Sequence, residues 1–275
     1  MLELLQYEFV QNALMAGFLA ALICGVVGSM VVVNRMIFLA GGVAHASYGG
    51  IGAALFWNMP FMLSVLGFTV LAAVVMALFM LKARNRADTF IGALWAIGMS
   101  FGIILLDFTP GYNADLMSYL FGSILTVSYA DLIYMLVVLA ISLGFIIFFY
   151  NNILAVSYDS EFSGLRGIPV TFIYVAMVVI MALSIVVVIR VVGLIMVIAL
   201  LSMPPFIAEK YSSSFKSMII RSCVLSLVCI MLGLILAYRF DITSGAAIIM
   251  ITAVFFVINF GWTAWCKNCL RTKSV

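Results

Sequence analysis

Charge is what this sequence most lacks. Only 8% of its 275 residues are Asp, Glu, Lys or Arg and 67% are hydrophobic, whereas soluble globular chains carry about a quarter charged residues. That excludes an ordinary water-soluble domain and makes lipid the solvent. The net charge is +3, from 13 basic and 10 acidic side chains. No Lys/Arg cluster is dense enough to neutralise a run of phosphates, so no nucleic-acid partner is expected. No GxxxxGK[ST] segment occurs, so ATP hydrolysis cannot belong to this chain. The first residues, MLELLQYEFVQ, hold Glu3 and Glu8 but no basic residue. They lack the positive region and cleavage site of a signal peptide and are expected to be retained. Of the five cysteines, Cys24, Cys223 and Cys229 lie in apolar runs, and Cys266 and Cys269 close the last run as WCKNC. This is no disulfide framework, and a single CxxC with no second pair or nearby His does not complete a zinc site.

What is present is long apolar runs. A helix needs roughly 20 predominantly apolar residues to cross the hydrocarbon core. That ruler predicts nine crossings, at about 10–33, 37–57, 60–81, 88–107, 130–150, 169–189, 192–208, 217–238 and 245–265. Residues 108–129 are too polar at their start for a crossing and are expected to form an outer loop with a short or re-entrant helix. Basic residues set the orientation, because Lys and Arg stay on the cytoplasmic side. With Lys82, Arg84 and Arg86 inside, Arg35, Arg166, Lys210, Lys216, Arg221, Lys267, Arg271 and Lys273 also fall inside, and only Arg190 and Arg239 fall outside. The N-terminus is then outside and the C-terminus cytoplasmic. Glu3, Glu8, Asp107, Asp115, Asp131 and Asp241 fall on or near the outer face. Such a rim either concentrates cations or is simply solvated.

Three segments could carry chemistry. In the second span, MIFLAGGVAHASYGGIGAALFW, a helical period puts Gly42, His45, Ala46, Gly49, Gly52 and Ala53 on one face. Small residues let helices approach closely, so this face should be buried against other helices. An ionisable group there is a functional candidate, and neutral imidazole is a good ligand for zinc and other first-row divalent ions. His45 is either a stop for a passing metal or a packing His bonded to a carbonyl. The second segment, SYDSEFSGLRGIP, reads as a short helix with Asp159 and Glu161 in its first turn, Arg166 in its last, Gly167 as its stop and Pro169 beyond. It is either a socket for a cytoplasmic partner or a solvated loop. In the third, Pro204 and Pro205 stand in tandem within the seventh span. Each lacks an N–H, so a break or bend is expected, and the freed carbonyls could meet an ion, Ser202 or water. The 18 methionines read as apolar filler.

In order and spacing, these segments resemble the membrane subunit of ABC-type zinc and manganese importers over nearly the whole chain. Four matches carry the resemblance: NRMIFLAGGVAHASYGGIG, RADTFIGALWAIGMSFGI, DLMSYLFGSIL, and the pair LAVSYDSEFSGLRGIP with VVGLIMVIALLSMPP. The resemblance implies that residues 154–169 are the coupling helix that docks on the ATP-binding subunit. It also implies that His45 is the His of a D-x-x-x-H pattern on the metal pathway. This sequence departs from that pattern at Gly41, where many relatives carry Asp, so the carboxylate–imidazole pair is halved.

The expected fold is an all-α polytopic membrane protein of about nine transmembrane helices plus a short outer or re-entrant helix. It is a single permease domain over 1–275, and the resemblance implies a vitamin-B12-importer-like architecture and a homodimer with the pathway at its two-fold interface. The expected function is passage of a divalent metal ion, Zn2+ first and then Mn2+ or Fe2+, with no permanently bound cofactor. Implied partners are an extracytoplasmic metal-binding protein and a separate ABC ATP-binding subunit, and the implied location is the bacterial plasma membrane. Gly42, Gly49, Ser202, Pro204 and Pro205 are candidate pathway or helix-break positions. The rival is an ion-gradient-driven secondary transporter, which usually needs several intramembrane acids or bases where this chain has one mid-span His. An intramembrane enzyme would need a nucleophile–base pair or a multi-ligand metal site within the bilayer.

Overall fold

The computed structural model describes residues 7–82, 86–109, 122 and 127–271, with side chains as far as Thr263. The expected short outer helix, the DLMSYLFGSIL segment apart from Gly122, Arg84, the Cys266 and Cys269 side chains and the last four residues of the tail lie outside what is described.

Ten helices form among the described residues: α1 (Glu8–Val33), α2 (Ile37–Phe56), α3 (Phe61–Lys82), α4 (Ala87–Asp107), α5 (Tyr129–Tyr158), α6 (Ser160–Leu165), α7 (Val170–Val192), α8 (Leu194–Tyr211), α9 (Phe215–Phe240) and α10 (Ser244–Arg271). Eight of them are long and apolar enough to cross a bilayer. These eight make the chain a multi-pass membrane protein. α2 has the length, at 20 residues, but glycines, His45, Ser47 and Tyr48 dilute its apolar content and leave it outside the eight. A less greasy helix has to be sheltered by others, and fourteen of its residues are buried.

Two helices form the centre. α1 packs against α5, α7, α8 and α9, and α7 against α1, α2, α3 and α5. α1 can serve as a hub because Ala13, Ala16, Gly17, Ala20, Ala21, Cys24, Gly25 and Gly28 keep its surface low, and close backbone approach is what drives helix association where every neighbour is apolar. Leu63, Leu71, Ile147 and Phe148 point outward, as lipid-facing side chains do.

Helix ends follow local rules. Ser128 and Asp131 cap α5 reciprocally, and the Asp131 carboxylate also pairs with Arg190 of α7 at 3.0 Å. α5 bends at Phe149 and runs on to Tyr158, past the expected end near 150. A single residue joins α7 to α8: Gly193, at φ 86 and ψ 160, a conformation that only glycine adopts without strain. Such a joint needs no loop. It is also the backbone break in this region, because α8 continues as one helix through Pro204 and Pro205. The expected break at the proline pair is absent for a packing reason. Pro205 frees the carbonyl of Leu201, and that oxygen faces Gly28 of α1, where a Cβ would lie 2.7 Å from it and 2.8 Å from the proline ring. A neighbouring helix shelters the freed group, as membrane helices require.

A cleft around His45 and a crevice beside the short helix

α2 places His45 about 12 Å along its axis from Ile37, at the border between a packed face and an open one. On the packed face, Gly52 meets Gly102 of α4 backbone to backbone, leaving no room for a side chain on either. Gly42 lies against Ile91 and Gly49 against Phe68 and the Gly98 carbonyl. The small-residue face therefore buries against α3 and α4, and Gly42 and Gly49 are not among the cleft-lining residues.

On the other side lies a cleft of about 750 Å³. Its wall is mostly apolar: Val32, Ile37 and Phe38 from the α1–α2 corner, Trp95 from α4, Ile198 and Phe206 from α8. Gly41 and His45 line it together, with Arg35 and Glu209 as its charged residues. The His45 ring stacks on Trp95, centroids 4.1 Å apart and planes 6° off parallel. Stacking covers one face of the imidazole and holds its orientation, for about 0.5–1.5 kcal/mol. Its Nδ1 is buried and makes no hydrogen bond. Leaving a buried polar atom unpaired costs about 1–3 kcal/mol.

A Cβ at Gly41 would touch nothing within 4 Å. One turn before His45 and on the same side, this position is open space facing the cleft. Among the described residues no group of three or more His, Cys, Asp or Glu is assembled. The cleft can offer a dehydrated cation the His45 imidazole and the Glu209 carboxylate but no cluster of three donors, which suits brief contact better than storage.

The second cavity lies at the feet of α1, α3, α5 and α7, beside α6, and holds about 640 Å³. Asn34, Arg35, Ser157, Tyr158, Ser160, Glu161 and Tyr174 give it a polar wall. The short helix spans 160–165, narrower than the expected 154–169. Asp159 is its N-cap rather than part of its first turn, and its Oδ1 accepts from the backbone N–H groups of Glu161 and Phe162. Glu161 is in the first turn and Arg166 is the C-cap, its guanidinium over the Phe162 ring at 4.8 Å. Gly167, at φ 78, donates to the Gly164 carbonyl while Ile168 donates to that of Ser163, a Schellman stop. Tyr158, Phe162 and Leu165 are also exposed, at 90%, 51% and 87%, beside the exposed charged side chains of Asp159, Glu161 and Arg166. Ser202 bonds the Ile198 and Ala199 carbonyls of its own helix and does not line the cleft, and Pro204 and Pro205 are buried.

Sequence reasoning did not single out Trp95, Glu209 or the exposed Tyr158, Phe162 and Leu165. Trp95 had a signal, since Ile91, Trp95, Gly98 and Gly102 recur at helical spacing in one of the matched segments. Glu209 had none, because nothing in a lone acid near a helix end says which cavity it faces.

The chain resembles known proteins along nearly all of its length. An uncharacterized membrane protein of Synechocystis sp. is 42% identical over 95% of this chain and 93% of its own. A protein of Listeria monocytogenes described as the manganese transport system membrane protein MntC is 28% identical over 94% and 91%. Among solved structures, PsaBC from Streptococcus pneumoniae in complex with Fab matches with a TM-score of 0.83 and 30% identity, covering 94% of this chain and 92% of that one. The family model described as the ABC 3 transport family matches residues 6–262, and this chain belongs to that family.

Proposed function

We propose that this chain is the permease subunit of an ATP-driven importer that passes a divalent metal cation through the His45 cleft. The observation that carries the reading is the buried, unbonded His45 Nδ1, held by Trp95 at the edge of a cleft that Gly41 leaves open. Neutral imidazole binds zinc-class ions well. The manganese name of the Listeria relative puts Mn2+ beside Zn2+ as cargo, with Fe2+ behind them. The basic end of the bundle faces the cytoplasm, by the bias of Lys and Arg. An extracytoplasmic binding protein delivers the ion, two copies of the chain flank the path in the plasma membrane, and a separate ATP-binding subunit seats on α6. The exposed Tyr158, Phe162 and Leu165 suit that seat, since aromatic and aliphatic anchors in a pocket supply most interface energy.

In this reading the apolar walls strip water from the ion and make a single nitrogen count for more than it would in water. With His45 alone at the Gly41 end of the cleft the hold there stays weak, as passage requires. Glu209 at the basic end gives the leaving cation an oxygen, and Arg35 beside it disfavours return.

The test is uptake of Mn2+ and Zn2+ by His45→Gln in proteoliposomes containing the whole transporter. Gln keeps hydrogen-bonding capacity and removes the ring nitrogen lone pair. Uptake falls about tenfold while recruitment of the ATP-binding subunit is kept. Wild-type uptake by a well-assembled variant would remove His45 from the path.

A further inference from the structure

The His45 cleft and the α6 crevice have one wall residue in common, Arg35. It stands in the tight turn between α1 and α2 at φ 56, a left-handed conformation rare for a long side chain. The turn is a Schellman stop for α1: the Arg35 N–H donates to the Val32 carbonyl and the Met36 N–H to that of Val31. Beside it Asn34 caps α1, and its Nδ2 donates to the Met30 carbonyl at 2.9 Å. That fixes which way the amide points and leaves its Oδ1 to accept from the Ser157 hydroxyl at 2.9 Å. Ser157 stands two residues before Asp159, the N-cap of α6.

A serine hydroxyl has one proton, and Ser157 has two acceptors within reach. One is Asn34 Oδ1; the other is the Ile153 carbonyl of its own helix, at 2.6 Å. The proton can join α5 to the α1–α2 turn or return to α5, so this joint has two states that a small displacement of the foot of α5 would exchange.

We propose that the Asn34–Arg35 turn relays movement of α6 to the His45 cleft, with the Ser157–Asn34 hydrogen bond as its joint and Arg35 as the wall shared by both cavities. The inference rests on the reading of α6 as the seat of the ATP-binding subunit. Asn34, Arg35 and Ser157 are positioning residues: their effect is on how far hydrolysis opens the cleft.

The experiment reads Mn2+ moved per ATP hydrolysed, in proteoliposomes containing the permease, its ATP-binding subunit and its binding protein. Ser157→Ala and Asn34→Ala each lower that ratio about fivefold, the scale of one hydrogen bond. Co-purification of the ATP-binding subunit and basal hydrolysis stay at wild-type levels. The double variant falls no further than either single, since both remove one joint, and Ser157→Thr, which keeps the hydroxyl, retains the wild-type ratio. Unchanged ratios in the single variants, or losses that multiply in the double, overturn the relay. Should Asn34→Ala fail to assemble, the Ser157→Ala and Ser157→Thr pair decides alone, and equal ratios overturn it. Failure of the seat itself shows separately: a Leu165→Asp permease that still retains its ATP-binding subunit overturns the seat, while the ratio still reads whether Ser157 and Asn34 couple hydrolysis to passage.

Discussion

Around His45 the walls are Val32, Phe38, Trp95, Ile198 and Phe206, whereas beside α6 they are Asn34, Ser157, Ser160, Glu161 and Tyr174, and the two cavities are of similar size. In the first, polar groups are scarce and the imidazole nitrogen has no partner. In the second, polar groups bond one another and the backbone, as Ser157 does to Asn34 and to the Ile153 carbonyl. An unpaired group in a low-dielectric wall is sensitive to a passing charge, while a bonded polar corner holds shape and transmits force. In the proposed reading this difference gives selection to one cavity and coupling to the other.

The harshest way to break this comparison is to disturb the support of both. Gly52→Leu drives a side chain into the Gly102 backbone, with no flexible neighbour to yield. Overpacking of that kind costs about 3 kcal/mol or more. Membrane levels and monodispersity after detergent extraction should both collapse. Next in size is Leu165→Asp, which replaces an exposed apolar side chain of α6 with a charge. Retention of the ATP-binding subunit should fall roughly thirtyfold, the effect of losing one interface anchor, while the cleft is untouched.

Gly41→Asp sharpens the comparison by making the dry cleft less sparse. The site has room for the carboxylate, and it restores an acid one turn from His45. Mn2+ retention should tighten about tenfold and release should slow, read as a lower apparent KM with a lower maximal uptake rate. Unchanged Mn2+ kinetics would mean that the two positions do not share an ion. The smallest effect belongs to Asp131→Asn, at the opposite end of the bundle. It removes the ion pair with Arg190 and weakens the α5 cap, for about 1 kcal/mol of stability. A slightly lower Tm with normal uptake is expected.

The nine long helices and the buried small-residue face of α2 were legible in the sequence because lipid imposes length and close packing imposes small side chains, both visible in one dimension. Gly167 was legible as a stop for the same local reason. The proline pair was not, since whether a freed carbonyl breaks a helix depends on what lies opposite, and here Gly28 of another helix lies opposite. The role of Asp159 was half legible: an acid at a helix start is visible in sequence, but whether it caps the helix or faces a partner depends on backbone geometry. Trp95 and Glu209 join His45 only through the packing of α2 against α4 and α8.

The central claim is that the open space beside Gly41 and His45 is the path of the ion. Gly41→Cys, in a chain whose native cysteines are replaced, tests it most directly, because a Cβ there projects into the cleft without touching its walls. Reaction with a bulky methanethiosulfonate should reduce ATP-driven Mn2+ uptake more than tenfold, and saturating Mn2+ should slow the reaction. A thiol that reacts fully and leaves uptake at its unmodified rate would contradict the account.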